Sequence, residues 1–228
     1  MVESNVMSFI EDFSSKHNVT VIAAILFGSA LYKTEKEIND IDIFLVLNEN
    51  SVFRGNHYYS ETKRIDYFSG SLSMIKKHLD ECIGSTETLP FYVFGEGKVL
   101  FGEEHLVEIV ATCKQYLEVF PGYMNKDTLL PQLWYKITDA YDDLIWSNDQ
   151  VEVNLAMAEI ISASMQFYCI HKNELIKKRG TNDRGEFHAL YVELLKVDNV
   201  TIAAKKIIDY LSQETGFVFH GNWEVRYR

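Results

Sequence analysis

The chain has 228 residues, 47% of them hydrophobic and 24% charged, with a formal net charge of −11. That composition excludes a disordered or fibrous protein and gives room for two small domains with real cores. The charge disfavours a broad phosphate-binding surface, and with it sequence-independent binding of nucleic acid, while a cationic small substrate stays compatible.

The opening "MVESNVMSFIEDF" has acids where a signal peptide carries basic residues, and the longest apolar run, Val21 to Phe27, is too short to span a bilayer. Cys82, Cys113 and Cys169 form no CxxC pair, and they suit a reducing compartment, so a cytoplasmic protein without a membrane segment is expected. From about Glu3 to His17, Val6, Phe9, Ile10 and Phe13 recur at helical spacing, and "VTVIAAILF" then reads as a buried strand. Ile41 to Leu47 predicts a second strand and Lys63 to Phe68 a third. A helix through Leu72, Ile75, Leu79 and Ile83 follows, capped from "SGSLS".

The segment "FYVFGEGKVLFGEE" reads as a strand, a glycine turn and a second short strand, after which Leu106 to Leu117 returns to helical spacing. Pro121, Gly122 and Pro131 mark a junction. Beyond it Leu133, Ile137, Tyr141 and Leu144 predict one helix, and Leu155, Ala158, Ile161, Met165 and Tyr168 the apolar face of another. A polar loop from Lys177 to Glu186 precedes helical segments near 187–196 and 201–213. The expected fold class is α+β: a mixed-sheet core over residues 1–117, followed by an α-helical bundle domain over 118–228.

Chemistry concentrates in "ILFGSALYKTEKEINDIDIFLVL", Ile25 to Leu47. Asp40 and Asp42 stand at alternate positions of a strand and so share a face, where two carboxylates repel unless a divalent cation bridges them. Hard oxygen ligands of this kind suit magnesium, and Asp66 in "RIDYF" is placed to be a third. Two other readings stand beside this one: a solvated strand edge for Asp40 and Asp42, and a plain ion pair with Arg64 for Asp66. Gly28 permits a tight turn, and Ser29 adds a hydroxyl at the start of a short helix whose free N–H groups can meet phosphate oxygens. These pieces suit a nucleoside triphosphate whose α-phosphorus is positioned for in-line attack.

Phe27, Gly28, Ser29 and then Asp40, Ile41, Asp42 and Ile43 resemble the signature of the polymerase-beta-like nucleotidyltransferases. The resemblance covers residues 1 to about 110. It implies that Asp40, Asp42 and Asp66 are the catalytic and metal-holding carboxylates, that Gly28 and Ser29 touch the triphosphate, and that Mg²⁺ and a nucleoside triphosphate such as ATP take part. The loop departs from the family's commonest form, with Ala30, Leu31, Tyr32 and Lys33 where a small pair and Arg-Gly usually stand. Lys33 is the residue available to supply the missing positive charge.

A minimal catalytic domain followed by helices is similar to the aminoglycoside nucleotidyltransferases, and "GEGKVLFG" resembles a strand near the end of their catalytic domains. The implied acceptor is a hydroxyl of a cationic small molecule, which the acids of the helical region suit: Glu118, Asp127, Asp139, Asp142, Asp143, Asp149, Glu152 and Glu159 stand against Lys126 and Lys136 from Gln115 to Ile160. In those relatives a helical-domain carboxylate serves as general base, a role open here to Asp143 or Glu152, although each also reads as a solvated helix face. Two alternatives stay open, a protein-adenylylating enzyme of the antitoxin type and a noncatalytic nucleotide-sensing module, and so does a homodimer.

Overall fold

The structure is a computed structural model that describes residues 2–34, 37–176, 187, 189–190, 192 and 200–217. The chain forms two compact units, Met1–Pro121 and Gly122–Arg228.

In the first unit, helix α1 (Val2–His17) leads into strand β1 (Val21–Phe27), a 3-10 turn (Gly28–Leu31), and strands β2 (Asp40–Leu47), β3 (Arg54–Tyr58) and β4 (Arg64–Ser71). Helices α2 (Leu72–Cys82) and α3 (Leu89–Glu96), strand β5 (Lys98–Phe101) and helix α4 (Glu103–Glu118) complete it. The five strands form one mixed sheet in the order β3-β4-β2-β1-β5, with β2 and β4 parallel and the other pairs antiparallel.

Period-2 alternation decides which face does what. Ile41, Ile43, Leu45 and Leu47 of β2, Ala24 and Leu26 of β1, and Ile65 of β4 are buried in one cluster with Val6, Phe9, Ile10 and Phe13 of α1. Each fully buried isoleucine or leucine contributes roughly 1.5–3 kcal/mol, so this face anchors the register of the central strands. The opposite face carries Asp40, Asp42 and Phe44 of β2 and Asp66 and Phe68 of β4, held level by the pairings Asp42↔Asp66 and Phe44↔Phe68. Phe94 of α3 meets Phe44 on that side, their ring centroids 5.1 Å apart. Ser71 caps α2 as expected, accepting from the Met74 N–H.

Two elements of this first unit differ from the sequence reading. Strand β3 has no counterpart in it, because "RGNHY" lies at the sheet edge with almost every residue exposed and so carries no apolar alternation. The run "LPFYVFGE" is helix α3, not a strand. Phe91, Val93, Phe94 and Gly95 are all buried, so the segment is apolar all round and its period is hidden. Gly95 explains the close packing on α4: a Cβ there would lie 2.7 Å from Leu117 Cδ1.

Among the described residues the second unit is helical: α5 (Lys126–Trp146), α6 (Gln150–Lys172) and α7 (Val200–Thr215). Pro131 lies inside α5 rather than at a junction; burial of Leu130, Leu133 and Trp134 around it outweighs a cost of about 3 kcal/mol for a proline in a helix interior. In α6 the buried stripe is Ala156, Ile160, Ala163, Phe167 and Ile170, while Leu155 is 66% exposed. Apolar residues surround that helix, so its pattern leaves the phase undetermined. By length and composition α6 could cross a membrane, yet its stripe packs against α5 and α7. The expected loop at 177–186 and most of the helical segment at 187–196 lie outside the described residues.

Ile43 is fully buried against α1. Ile43→Ala is expected to lower unfolding free energy by about 2–5 kcal/mol, read as a shift of the urea midpoint at unchanged slope.

Candidate active site

β1 delivers the chain to Gly28, whose φ is +74°. A Cβ at this position would fall onto the Asp42 carboxylate, with Oδ2 the atom it meets first. Both the left-handed backbone and the lack of room therefore demand glycine. The same contact shows how close the turn's backbone comes to Asp42, which pairs with Phe27 across β1 and β2.

Asp40, Asp42 and Asp66 each bring a carboxylate oxygen within 4.8 Å of the others, and all three are partly buried. Arg64 donates from Nε to Asp66 Oδ2 at 3.1 Å, and its terminal nitrogen lies 3.0 Å from the same oxygen. Asp66 is thus both an ion-pair partner and a member of the cluster. The Arg64 guanidinium is held even more firmly charged than usual, first by a hydrogen bond with Tyr58 and then by Asp66. One guanidinium can offset one of three carboxylates. Converging hard oxygen donors are the donor set a divalent ion such as magnesium prefers, so the residues present fit that ion.

Ser29 is 7% exposed, and its Oγ has no hydrogen-bond partner among the described residues. A buried hydroxyl without a partner is costly, and in the turn next to Gly28 it fits a phosphate oxygen. Lys33 is exposed on the segment leading to β2. Its charge is felt by Glu37, whose carboxyl lies below the usual range chiefly through the Thr34 hydroxyl and N–H and more weakly through Lys33. The structure brings Gly28 and the three aspartates together and leaves Lys33 at the surface.

Further along the same sheet face, Phe27, Phe44 and Phe68 join Val93 and Phe94 in walling an apolar cavity of about 830 Å³. Sequence reasoning passed it over, although alternation places Phe44 and Phe68 on the face of Asp42 and Asp66. The second unit has its own hollow of about 670 Å³, where Asp139, Asp143, Glu152 and Glu159 face Lys136 and Trp146. Glu159 lies 3.5 Å from Lys136, and Ser147 Oγ donates to Glu152 at 2.7 Å. Asp149 instead caps α6, accepting from the Val151 N–H.

Residues 10–105 match the family model described as "Polymerase beta, Nucleotidyltransferase". Among curated proteins nothing matches the chain. A solved structure of a nucleotidyltransferase-like protein from Exiguobacterium sibiricum 255-15 is similar at 12% identity and a TM-score of 0.48, covering 93% of this chain and 75% of that one.

Removing one of three mutually repelling carboxylates relieves strain in the ion-free protein. Asp42→Asn is expected to raise its melting temperature by about 2–4 °C, the shift of roughly 1 kcal/mol in a chain of this size, and to abolish any further rise on adding MgCl₂, both read by thermal denaturation. Gly28→Ala is expected to lower the melting temperature with or without magnesium.

Proposed function

Because residues 10–105 carry a polymerase-beta-type nucleotidyltransferase domain, we propose that the protein transfers a nucleoside monophosphate from a nucleoside triphosphate, ATP foremost, to a hydroxyl of a cationic small molecule of the aminoglycoside kind. The observation that carries this reading is the convergence of Asp40, Asp42 and Asp66 beside the Gly28–Ser29 turn. In this reading the three carboxylates hold magnesium. When bound, the ion supplies neutralisation of the triphosphate and polarisation at the α-phosphorus.

The chain's own part is positioning. Gly28 lets the turn's backbone approach the phosphates, the Ser29 hydroxyl donates to a phosphate oxygen, and Lys33 adds positive charge to the loop. The acceptor oxygen forms the new bond to the α-phosphorus as the bond to pyrophosphate breaks, and the hydroxyl proton passes to a carboxylate. In the second unit, Asp143 and Glu152 line one acidic hollow, a lining that supports a role in holding the ammonium groups of a cationic acceptor. A noncatalytic sensing module would bind the triphosphate through the same carboxylates without releasing pyrophosphate.

The test is pyrophosphate release from each nucleoside triphosphate with magnesium and a panel of aminoglycosides. Acceptor-dependent release is expected, reduced at least about 100-fold in the Asp40→Ala, Asp42→Ala double variant. Asp143→Asn and Glu152→Gln are expected to raise the acceptor KM while leaving triphosphate affinity unchanged. Tight triphosphate binding with no release for any acceptor would overturn the reading.

A further inference from the structure

Cys82 ends α2, and His78 lies one turn earlier on the same helix face. After the helix the chain reverses through Gly84, whose φ is +69°, and returns Glu87 to the same spot. Glu87 Oε1 lies 3.4 Å from His78 Nε2, and Cys82 Sγ lies 3.8 Å from that nitrogen and 3.9 Å from Nδ1. Ligand atoms of all three residues fall within 4.8 Å of one another. Bonds of 2.0–2.3 Å in a tetrahedral zinc centre put neighbouring ligand atoms about 3.3–3.8 Å apart. The Nε2–Oε1 and Nε2–Sγ distances match that spacing, but Sγ is almost equidistant from the two ring nitrogens and so lies off the Nε2 lone-pair axis. Ligation by all three residues turns the half-exposed imidazole about its χ2 bond.

The turn that places Glu87 is pinned. Tyr116, buried and stacked on Phe91 with centroids 3.6 Å apart, accepts from the Gly84 N–H, and Ser85 Oγ accepts from the Glu87 N–H at 3.1 Å. Cys82 is 2% exposed, while the side chains of His78 and Glu87 are 50% and 61% exposed. An ion can therefore enter from solvent and bind a thiolate shielded beneath it. An exposed His–Glu pair alone contributes little to stability and has no need of a thiol at contact distance.

We propose that His78, Cys82 and Glu87 form a zinc site, separate from the aspartate cluster. Nitrogen, sulfur and one carboxylate select a borderline-soft ion, whereas the all-oxygen set of Asp40, Asp42 and Asp66 selects a hard one. His78 and Glu87 also line the 830 Å³ cavity, so three protein ligands keep a coordination position for solvent or for a donor group of a molecule in that cavity. Binding releases the Cys82 proton to solvent. In the ion-free protein that thiol is pushed up to about 11 by burial and by the charges of Glu87 and Glu81.

The test titrates cobalt(II) into chelator-dialysed protein carrying Asp40→Ala and Asp42→Ala, which removes the oxygen cluster from the count. One equivalent is expected to produce a thiolate-to-cobalt charge-transfer band that zinc then bleaches, and Cys113→Ser is expected to retain it. Cys82→Ser is expected to lose the band. His78→Ala and Glu87→Ala, at exposed positions that tolerate truncation, are expected to weaken binding at least about tenfold, the lower end of what outer-shell partners alone cost. No band at one equivalent, or affinity unchanged in both exposed-ligand variants, would overturn the site.

Discussion

Strict alternation along β2 is the constraint on which the rest of the first unit depends. Ile41, Ile43, Leu45 and Leu47 must all face α1, and a slip of one residue would turn four large apolar side chains to the other face. That hydrophobic lock forces Asp40 and Asp42 to the opposite side, and the parallel pairing with β4 then sets Asp66 level with Asp42. The carboxylates repel where they converge, so the arrangement persists because the core on the far side of the sheet enforces it. Gly28 completes the geometry by omitting the one carbon that would occupy the place of the Asp42 carboxylate.

Legibility in the sequence follows where the signal is periodic. The α1 face and β2 could be read because each buries one side and leaves the other more polar, β1 because it is a short, continuous apolar run, and the cap of α2 because Ser71 stands just before an apolar helical pattern. β3 could not, since an edge strand with nearly every residue exposed has no apolar rhythm. In α3 and α6 the difficulty is the reverse: apolar residues all round leave either the element type or the phase undetermined. The aspartates and the Gly-Ser turn were visible as a pattern, while the ion pair that Arg64 makes with one of them became definite only in three dimensions. The meeting of His78 and Cys82 with Glu87 depends on a turn pinned by Tyr116, 32 residues from Gly84, and nothing local announces it.

Within the first unit, two clusters of potential ligands differ in hardness. The three aspartates offer only oxygen donors, whereas His78, Cys82 and Glu87 offer nitrogen, sulfur and a carboxylate. On the two proposed assignments, that difference would sort magnesium from zinc by donor type, without relying on raw affinity. In the second unit the acids are not equivalent either. Asp149 is committed to capping α6, whereas Asp139 and Asp143 line an acidic hollow beside the exposed Trp146. A surface of that kind suits a cationic, partly apolar acceptor.

The central claim is that Asp40, Asp42 and Asp66 act together to hold the metal ions of a triphosphate. The most direct measurement is manganese(II) binding, followed by electron paramagnetic resonance, with a non-hydrolysable nucleoside triphosphate analogue and with the Asp40→Ala, Asp42→Ala variant alongside. The account predicts manganese and analogue bound together by the parent protein and at least about tenfold weaker binding in the variant. Equal binding by both proteins would contradict it.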